Sequence, residues 1–275
     1  MRKHVMLEKK IGETPLETLQ AWKRGHPSYA NVPVAYAGRL DPMASGKLLI
    51  LLGEECKKMS SYTGLDKEYE VEVLLGVGSD TGDILGITTR TDTPALVTRT
   101  EITKALATMV GTHTLPYPAF SSKTVAGKPL FLYALEGTLP TIEVPTHEET
   151  IYSITLATYE TAPARELQDR VSDLLARAPV STELSKALGA DFRIKDVKES
   201  WAKVFASSHQ ETYQVLRLRV RCGSGTYMRT LAGRIGKALG TRALALSIHR
   251  TSLGVHSRVL GIILPTWLSW RGSNT

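Results

Sequence analysis

The sequence has few of the residues that cross-link, chelate or anchor a protein. Its 275 residues include two cysteines, Cys56 and Cys222, which excludes a disulfide framework and gives no metal-ligand spacing. The first ten residues are basic but lack the apolar core of a signal peptide. The densest apolar run, Leu48 to Leu52, is too short to cross a bilayer. We therefore predict a protein of the reducing cytoplasm, without a metal site or a membrane partner.

The composition is that of a globular protein with an excess of basic residues. Apolar residues make up 42% of the chain, enough to build a sizeable core. Lysine and arginine number 34 against 27 aspartates and glutamates, a formal net charge of +7. This balance suits a polyanionic partner, because neutralised phosphates release counterions on binding. A merely basic protein with no such partner is the alternative, since net charge reports on association and not on fold.

Hydrophobic periodicity predicts strands interleaved with helices. Residues 68–75 and 213–222 alternate between apolar and charged positions, as half-exposed strands do, and Leu48 to Leu52 reads as a buried strand. Thr14 and Glu17 form the capping-box pattern of a helix start, and residues 98–109 and 226–239 are also helical in pattern. Residues 25–46 and 111–140 are predicted to be loops. The pattern indicates a mixed α/β (α+β) fold with a mostly antiparallel central sheet, flanked by helices and loops.

Residues 163–208 differ in character from the rest of the chain. Apolar residues from Leu167 to Ala178 recur at helical spacing, and Pro179 ends that helix. A second short helix is predicted from Thr182 to Leu188. We interpret the segment as a helical insertion in a single domain that covers residues 1–275.

Asp41 stands out among the residues that could carry chemistry. It lies in the sequence Gly-Arg-Leu-Asp-Pro-Met-Ala-Ser-Gly at 38–46. An aspartate before a proline is most often a turn residue. The glycines at both ends, however, permit the close approach of a ligand, and a carboxylate placed there can act as a nucleophile.

This nine-residue sequence resembles the catalytic loop of pseudouridine synthases, and in particular that of the TruB family of tRNA pseudouridine-55 synthases. Further segments resemble the family in the family's order: residues 67–71, 76–86, 120–137, 225–231 and 249–254. Together they span most of residues 7–260. The resemblance implies the pseudouridine synthase fold and an enzyme that isomerises uridine in RNA without a cofactor or a metal.

The resemblance also implies roles for three residues. Asp41 would attack or deprotonate the sugar, Tyr69 would stack on the target base, and Arg229 would pair with Asp41 and keep it ionised. Each has an ordinary alternative: Tyr69 shares a strand face with Val71 and Val73 and is expected to be buried, and Arg229 could be a surface residue of its helix. The Gly-Ser-Gly turn before that helix could also present free N–H groups to a phosphate.

Weaker patterns point to further candidate site residues. Asp80 and Asp83 could suggest a metal loop, but their spacing does not fit a calcium loop, and a polar hairpin loop is the better interpretation. The resemblance places Asp80 near the substrate nucleotide. Tyr36 stands where the bacterial family usually has a histidine that engages the flipped nucleotide. Arg39 replaces the small residue that is typical before Leu-Asp in the family. The resulting sequence Gly-Arg-Leu-Asp resembles that of related synthases that act on ribosomal RNA. Three arginines of one strand face are either solvated or bind RNA backbone: Arg217, Arg219 and Arg221.

Two architectural departures leave the RNA target open. The 163–208 segment is unusual for the family, and the chain ends about 20 residues after Gly254, so we expect no C-terminal RNA-binding PUA domain. We expect a monomer that acts on uridine 55 in the T-arm of tRNA. The alternatives are a synthase for ribosomal or another RNA, and an RNA-binding or RNA-folding protein that has lost catalysis. The joint presence of Asp41, Tyr69 and Arg229 argues against the last.

Overall fold

The computed structural model describes residues 2–91, 96–178, 193–206, 211–259 and 262–267, with side chains up to Gly254. The helix predicted from Thr182 to Leu188 therefore lies outside the described residues. The helices are α1 (Pro15–Arg24), α2 (Met59–Thr63), α3 (Arg99–Ala107), α4 (Leu130–Leu135), α5 (Ala164–Ala176), α6 (Ile194–Ala206) and α7 (Met228–Ala238). In the part of the chain described here, no helix is long and apolar enough to cross a membrane.

The strands are β1 (His4–Lys9), β2 (Val34–Ala37), β3 (Ala44–Leu52), β4 (Asp66–Leu75), β5 (Val77–Ser79), β6 (Thr88–Arg90), β7 (Gly111–Pro116), β8 (Thr124–Val125), β9 (Lys128–Pro129), β10 (Thr146–Pro163), β11 (Thr212–Cys222), β12 (Ala243–Val259) and β13 (Ile262–Trp267). The central sheet runs in the order β1-β3-β12-β4-β11-β10-β7, with β2 paired to β3 and β13 to β12. Its pairs are antiparallel except β3 with β12, which run parallel over Ala44–Gly46 and Ile248–Arg250. The predicted mixed, mostly antiparallel sheet is confirmed.

The register of β4 and β11 gives the sheet two chemically different faces. Tyr69 lies opposite Val220 and Val71 opposite Leu218, and all four side chains are buried. The intervening positions carry charge, because Glu68, Glu70 and Glu72 lie opposite the three arginines of β11. Directly paired residues share a face. One face of these two strands is therefore apolar and the other is a ladder of acidic and basic side chains.

Local sequence explains the helix starts. At α1 the Thr14 hydroxyl accepts a hydrogen bond from the Glu17 backbone N–H at 3.2 Å, and the Glu17 carboxylate accepts one from Thr14 N–H at 2.7 Å. Thr98 and Glu101 repeat this capping box at α3. Both boxes satisfy N–H groups that the helix itself leaves unpaired, and the predicted start of α1 is confirmed.

The two predicted loops are only partly loops. Residues 25–46 contain β2 and the start of β3, and residues 111–140 contain β7, the small β8–β9 hairpin and α4. β2 and β7 are short and lie beside proline and glycine residues, so their local sequence is typical of turns. Pairing with β3 and with β10 makes them strands, and that pairing depends on residues distant in the chain.

The described helices of the 163–208 segment pack onto the charged face near one end of the sheet. The ring of Phe205 in α6 lies 6.3 Å from that of Tyr213, which shares the face of the β11 arginines. Arg170 of α5 forms an ion pair with Glu72 on the same face. Leu167 and Val171 of α5 are buried in the main core. These helices are therefore an integral layer of the fold.

Candidate active site

A cavity of about 960 Å³ opens on the apolar side of the sheet. The loop at 38–44, strand β4, residues 120–122 and the start of α7 supply most of its wall. Five residues singled out from the sequence line it: Tyr36, Arg39, Asp41, Tyr69 and Arg229. They come from three separate parts of the chain, residues 36–41, Tyr69 and Arg229, so the fold is what brings them together.

Asp41 and Arg229 form the central ion pair of this cavity. The Arg229 Nε–H donates to Asp41 Oδ2 at 2.7 Å. The Asp41 side chain is 44% exposed, whereas that of Arg229 is 5% exposed. The carboxylate is therefore open to a ligand on one side and held by a buried cation on the other. A charge-assisted hydrogen bond of this kind is short and directional, so it fixes the carboxylate's orientation.

The protein holds the Arg229 guanidinium from three further directions. Nη1 donates to the Thr81 carbonyl at 2.9 Å and Nη2 to the Phe120 carbonyl at 3.2 Å. Asp83 Oδ2 lies 3.6 Å from Nε, and burial raises the pKa of this carboxyl although Arg229 opposes the rise. Burial also lowers the pKa of Arg229, but Asp41 and Asp83 outweigh that effect and the pKa is raised. The cation is thus permanent and cannot rotate freely.

Two buried cations that sequence analysis did not single out hold the loop that carries Asp41. Arg250 is fully buried, and it donates to the carbonyls of Lys47 at 2.7 Å, Arg39 at 3.1 Å and Gly38 at 3.3 Å. The fully buried Lys9 donates to the carbonyls of Pro42 and Ala44. Arg250 lies in a segment with family resemblance, which was the one available signal. No local pattern pointed to Lys9.

Tyr69 lies in the wall of the cavity beside Arg250 and Lys67. Burial raises the pKa of Tyr69 to about 12, so the phenol stays neutral at physiological pH. Burial lowers the pKa of Lys67 to about 8, and its ammonium donates to the Thr63 carbonyl and to Ser224 Oγ, each at 3.0 Å. Tyr69 is buried, as its strand face predicts, and it also lines the cavity. Its stacking on a base stays a prediction.

Tyr36 and Arg39 form the outer part of the wall. Tyr36 is half-buried in β2 and packs on a small cluster around Leu48 and Ile50. Arg39 is exposed and precedes Leu40 and Asp41 in the 38–44 loop. Both therefore offer side chains to a ligand that enters the cavity, one aromatic and one cationic.

Asp80 is not among the residues that line this cavity. It lies outside the cavity, where it accepts a hydrogen bond from Ile87 N–H at 2.9 Å and a two-pronged ion pair from Arg193 at 2.7 and 3.1 Å. These contacts stabilise the loop that leads to Asp83. The contact between Asp80 and the substrate nucleotide, which the resemblance implies, stays a prediction.

The arginine stripe likewise lies away from the cavity. Arg217, Arg219 and Arg221 project from the face opposite to Tyr69, and they pair with Glu72, Glu70 and Glu68 respectively. Each positive charge is therefore neutralised by a glutamate on the adjacent strand. This geometry favours the solvated-face alternative over RNA-backbone contact.

The start of α7 already has an anion of the protein's own. Glu149 is fully buried, and its Oε1 accepts a hydrogen bond from Tyr227 N–H at 3.1 Å and contacts His147 Nε2 at 3.0 Å. Burial raises the pKa of this carboxyl. The His147 ring stacks on Tyr117 with centroids 4.1 Å apart. A carboxylate of the protein thus partly occupies the expected phosphate position at this turn. Because Glu149 and Tyr227 are 78 residues apart, no local pattern predicts this contact.

The polar groups of the cavity suit covalent or acid–base chemistry at a carboxylate. Among the described residues, no group of three or more histidine, cysteine, aspartate or glutamate side chains is arranged to hold a metal ion. The cavity combines one partly exposed carboxylate, a fixed guanidinium behind it and a neutral phenol ring. Such a set can position a sugar at the carboxylate and a flat base on the ring.

The chain is similar in sequence to proteins of one family. The family model described as TruB family pseudouridylate synthase (N terminal domain) matches residues 28–173, just over half of the chain. A protein named tRNA pseudouridine synthase B from Caldicellulosiruptor saccharolyticus is 27% identical over 252 residues, which cover 91% of this chain and 67% of that protein. Its namesake from Aromatoleum aromaticum is 31% identical over 88% of this chain and 58% of its own length. The chain thus spans about 60–70% of the length of these two relatives.

A solved structure shares the fold. The structure titled "Crystal Structure of a Cbf5-Nop10-Gar1 Complex" superposes with a TM-score of 0.53 at 17% identity, covering 92% of this chain and 49% of that one. At this identity the likeness concerns the fold alone.

Proposed function

The chain belongs to the TruB family of pseudouridylate synthases, and from that membership we propose that it isomerises a uridine of tRNA to pseudouridine, with uridine 55 of the T-arm as the target. The relatives that cover most of this chain are named tRNA pseudouridine synthase B. The observation that carries the proposal is the Asp41–Arg229 pair at 2.7 Å, which lies in the wall of a cavity that Tyr69 also lines.

Access to the base is the first physical requirement. A uridine in a folded RNA loop is stacked, and its glycosidic bond is reached only after the nucleotide leaves the stack, at a cost of a few kcal/mol. The cavity of about 960 Å³ lies at the upper end of the range for small-ligand sites. It therefore has room for one extruded nucleotide. Stacking on an aromatic such as Tyr69 returns about 1–3 kcal/mol of the cost.

In the proposed reaction Asp41 acts on the sugar. In the reaction the N1–C1′ bond breaks, the uracil turns in the site, a C5–C1′ bond forms, C5 loses its proton and N1 gains one. Asp41 either attacks C1′ or removes a proton from the sugar, and its 44% exposed carboxylate is accessible for either step. Arg229 keeps the carboxylate oriented throughout, because its other donors are bound to backbone carbonyls.

Tyr69 and its neighbours act on the base. Because the pKa of Tyr69 is about 12, its hydroxyl is neutral at physiological pH and can take part in hydrogen bonds without carrying charge. The ring supplies a flat surface that lets the uracil turn after it detaches from the sugar. The Arg250 guanidinium beside it supports the loop that carries Asp41 and does not act on the reacting atoms.

The substrate and setting follow from the same proposal. Arg39 at the mouth of the cavity and the formal charge of +7 suit an RNA. We propose that the protein acts as a monomer in the cytoplasm, and the two cysteines, Cys56 and Cys222, are free as a reducing compartment requires.

Single-nucleotide mapping of pseudouridine after incubation with unmodified tRNA transcript tests the proposal. We expect one new pseudouridine, at the T-loop uridine. Pseudouridine formed only in ribosomal RNA would support the proposed reaction but identify a different substrate. The sequence Gly-Arg-Leu-Asp around Arg39, which resembles that of synthases for ribosomal RNA, is consistent with that outcome. No mark in tRNA or in total RNA would refute the enzyme and leave an RNA-binding protein.

A further inference from the structure

The 163–208 segment has no part in the chemistry proposed above, yet α6 contacts the structure around Arg229. Three side chains of this segment contact either the loop between β5 and β6, which we call the 79–87 loop, or the residue that follows it. Trp201 Nε1–H donates to the Ile84 carbonyl at 3.1 Å, and Ser200 Oγ accepts from Thr88 N–H, just after the loop, at 3.1 Å. Arg193 binds Asp80 with both terminal nitrogens.

The same loop surrounds Arg229 on its other side. Thr81 supplies the carbonyl bound by Nη1, and Asp83 is the buried second carboxylate beside Nε. Gly82 lies so close to α7 that a Cβ there would come within 3.0 Å of the Arg229 carbonyl. The loop is thus held between α6 and Arg229, and a shift of the loop would move two of the guanidinium's partners.

Arg193 also reaches the third partner of Arg229. Its guanidinium carbon lies 4.7 Å from the centroid of the Phe120 ring, in the geometry of a cation–π contact. The Phe120 carbonyl is the acceptor for Arg229 Nη2. One side chain therefore contacts both supports of the Arg229 guanidinium, the 79–87 loop through Asp80 and residue 120 through its ring.

We propose that Arg193 is a positioning residue, through which the 163–208 segment holds Arg229 in the orientation that fixes Asp41. Arg193 lies outside the cavity and touches neither Asp41 nor the space for the base. The inference rests on the proposed function only where it concerns turnover. Its structural part, the control of the Arg229 hydrogen bond, holds whatever RNA the protein modifies.

We expect the loss of Arg193 to change the stability of the fold little but the rate of catalysis strongly. The Arg193 and Asp80 side chains are 21% and 37% exposed, and partly exposed ion pairs contribute little to folding. A small displacement at a catalytic group, by contrast, lowers the rate steeply. Arg193→Ala should therefore shift the melting temperature by less than about 3 °C. Its kcat should fall about 10-fold or more, with KM little changed.

Hydrogen exchange of the Arg229 Nε–H, followed by NMR, tests the proposal without any RNA. The signal is assigned by its loss in Arg229→Lys. We expect slow exchange in the wild type, because this N–H is buried and bound to Asp41, and exchange about 10-fold faster or more in Arg193→Ala. Asp80→Asn weakens one of the two Arg193 contacts and leaves the Phe120 contact in place, so its acceleration should be smaller, and the double variant should exchange no faster than Arg193→Ala alone.

A matched control and the activity assay complete the test. Lys198→Ala removes an exposed cation from α6, the helix that follows Arg193, and should leave both exchange and kcat unchanged. Arg193→Lys keeps the charge but not the planar fork, so it should fall between wild type and Arg193→Ala. Wild-type exchange in Arg193→Ala overturns the proposal. If the wild type modifies no RNA, the exchange result still decides the role of Arg193, while the proposed function fails separately.

Discussion

Arg250 offers a quantitative test of how the fold holds the loop that carries Asp41. The Arg250→Met variant keeps much of the side chain's volume and apolar stem but removes the guanidinium. Three carbonyls would then lose their donor, those of Gly38, Arg39 and Lys47. Two of the three belong to the loop that leads into Asp41. The substitution therefore tests stability and catalysis together.

Two opposed terms set the size of the effect. Each charge-assisted hydrogen bond contributes about 1.5–3 kcal/mol to folding, and a carbonyl left unpaired costs about as much as a lost bond. Removing a buried charge recovers several kcal/mol of desolvation. Because the three acceptors stay buried and unpaired, we expect the first term to win, with a net loss of about 3 kcal/mol in the free energy of unfolding.

Urea denaturation followed by tryptophan fluorescence measures the first effect, and steady-state turnover on tRNA measures the second. We expect a lower midpoint with an unchanged m-value, and a kcat about 100-fold lower because Asp41 is less well positioned. Arg250→Lys should lose less stability than Arg250→Met, since one charged donor remains. Arg99→Met, at an exposed position of α3, is the control and should stay within about 0.5 kcal/mol of the wild type. If Arg250→Met unfolds like this control, the support assigned to Arg250 is wrong.

Three further predictions follow from the same structure. Gly46 has φ +110°, and a Cβ there would lie 2.3 Å from the Arg250 carbonyl oxygen. Gly46→Ala should therefore lower the free energy of unfolding, measured by urea denaturation, by about 3 kcal/mol. Gly233→Ala, on an open helix surface, is the control and should not lower it. Burial lowers the pKa of Lys9 from 10.5 to about 8, so between these values the unfolded state binds more protons and the contribution of Lys9 to stability rises with pH. The free energy of unfolding of the wild type minus that of Lys9→Met should therefore grow by about 2 kcal/mol from pH 8 to pH 10, and a flat or falling difference would contradict the assignment. The combined change of Arg217, Arg219 and Arg221 to glutamine should leave the salt dependence of tRNA binding unchanged, because these arginines are paired on the far face, while Arg39→Ala should reduce its slope by about 1; the reverse result would return the stripe to RNA contact.

The sequence predicted what local pattern and family resemblance can carry. Alternation in β4 and β11 identified both strands and placed Tyr69 on the apolar face. The Thr14 and Glu17 pattern identified the start of α1, because a capping box is a property of four adjacent residues. The resemblance around Asp41 and Arg229 suggested an ion pair between residues 188 positions apart, and the structure has them at 2.7 Å.

The remaining features depend on contacts that no local pattern encodes. Arg250 meets the Gly38 and Arg39 carbonyls across more than 200 residues, and Lys9 meets Ala44 across 35. The charge of the β11 stripe is cancelled only because the register sets each arginine opposite a glutamate of β4. Asp80 is turned to Arg193, a partner from the segment that looked most peripheral in the sequence. In each case the residue is visible in the sequence, but its role depends on a partner that only the folded structure brings next to it.

The Asp41→Asn variant, assayed with unmodified tRNA transcript, tests the central claim most directly. Asparagine keeps the size of the side chain and an oxygen that can accept from Arg229, so the fold and tRNA binding should persist, and Asp173→Asn on the surface of α5 serves as the control. We predict wild-type tRNA affinity and no pseudouridine at the T-loop uridine for Asp41→Asn, with full conversion by the control. Pseudouridine formed by Asp41→Asn at the wild-type rate would contradict the account, because the reacting carboxylate would then lie elsewhere.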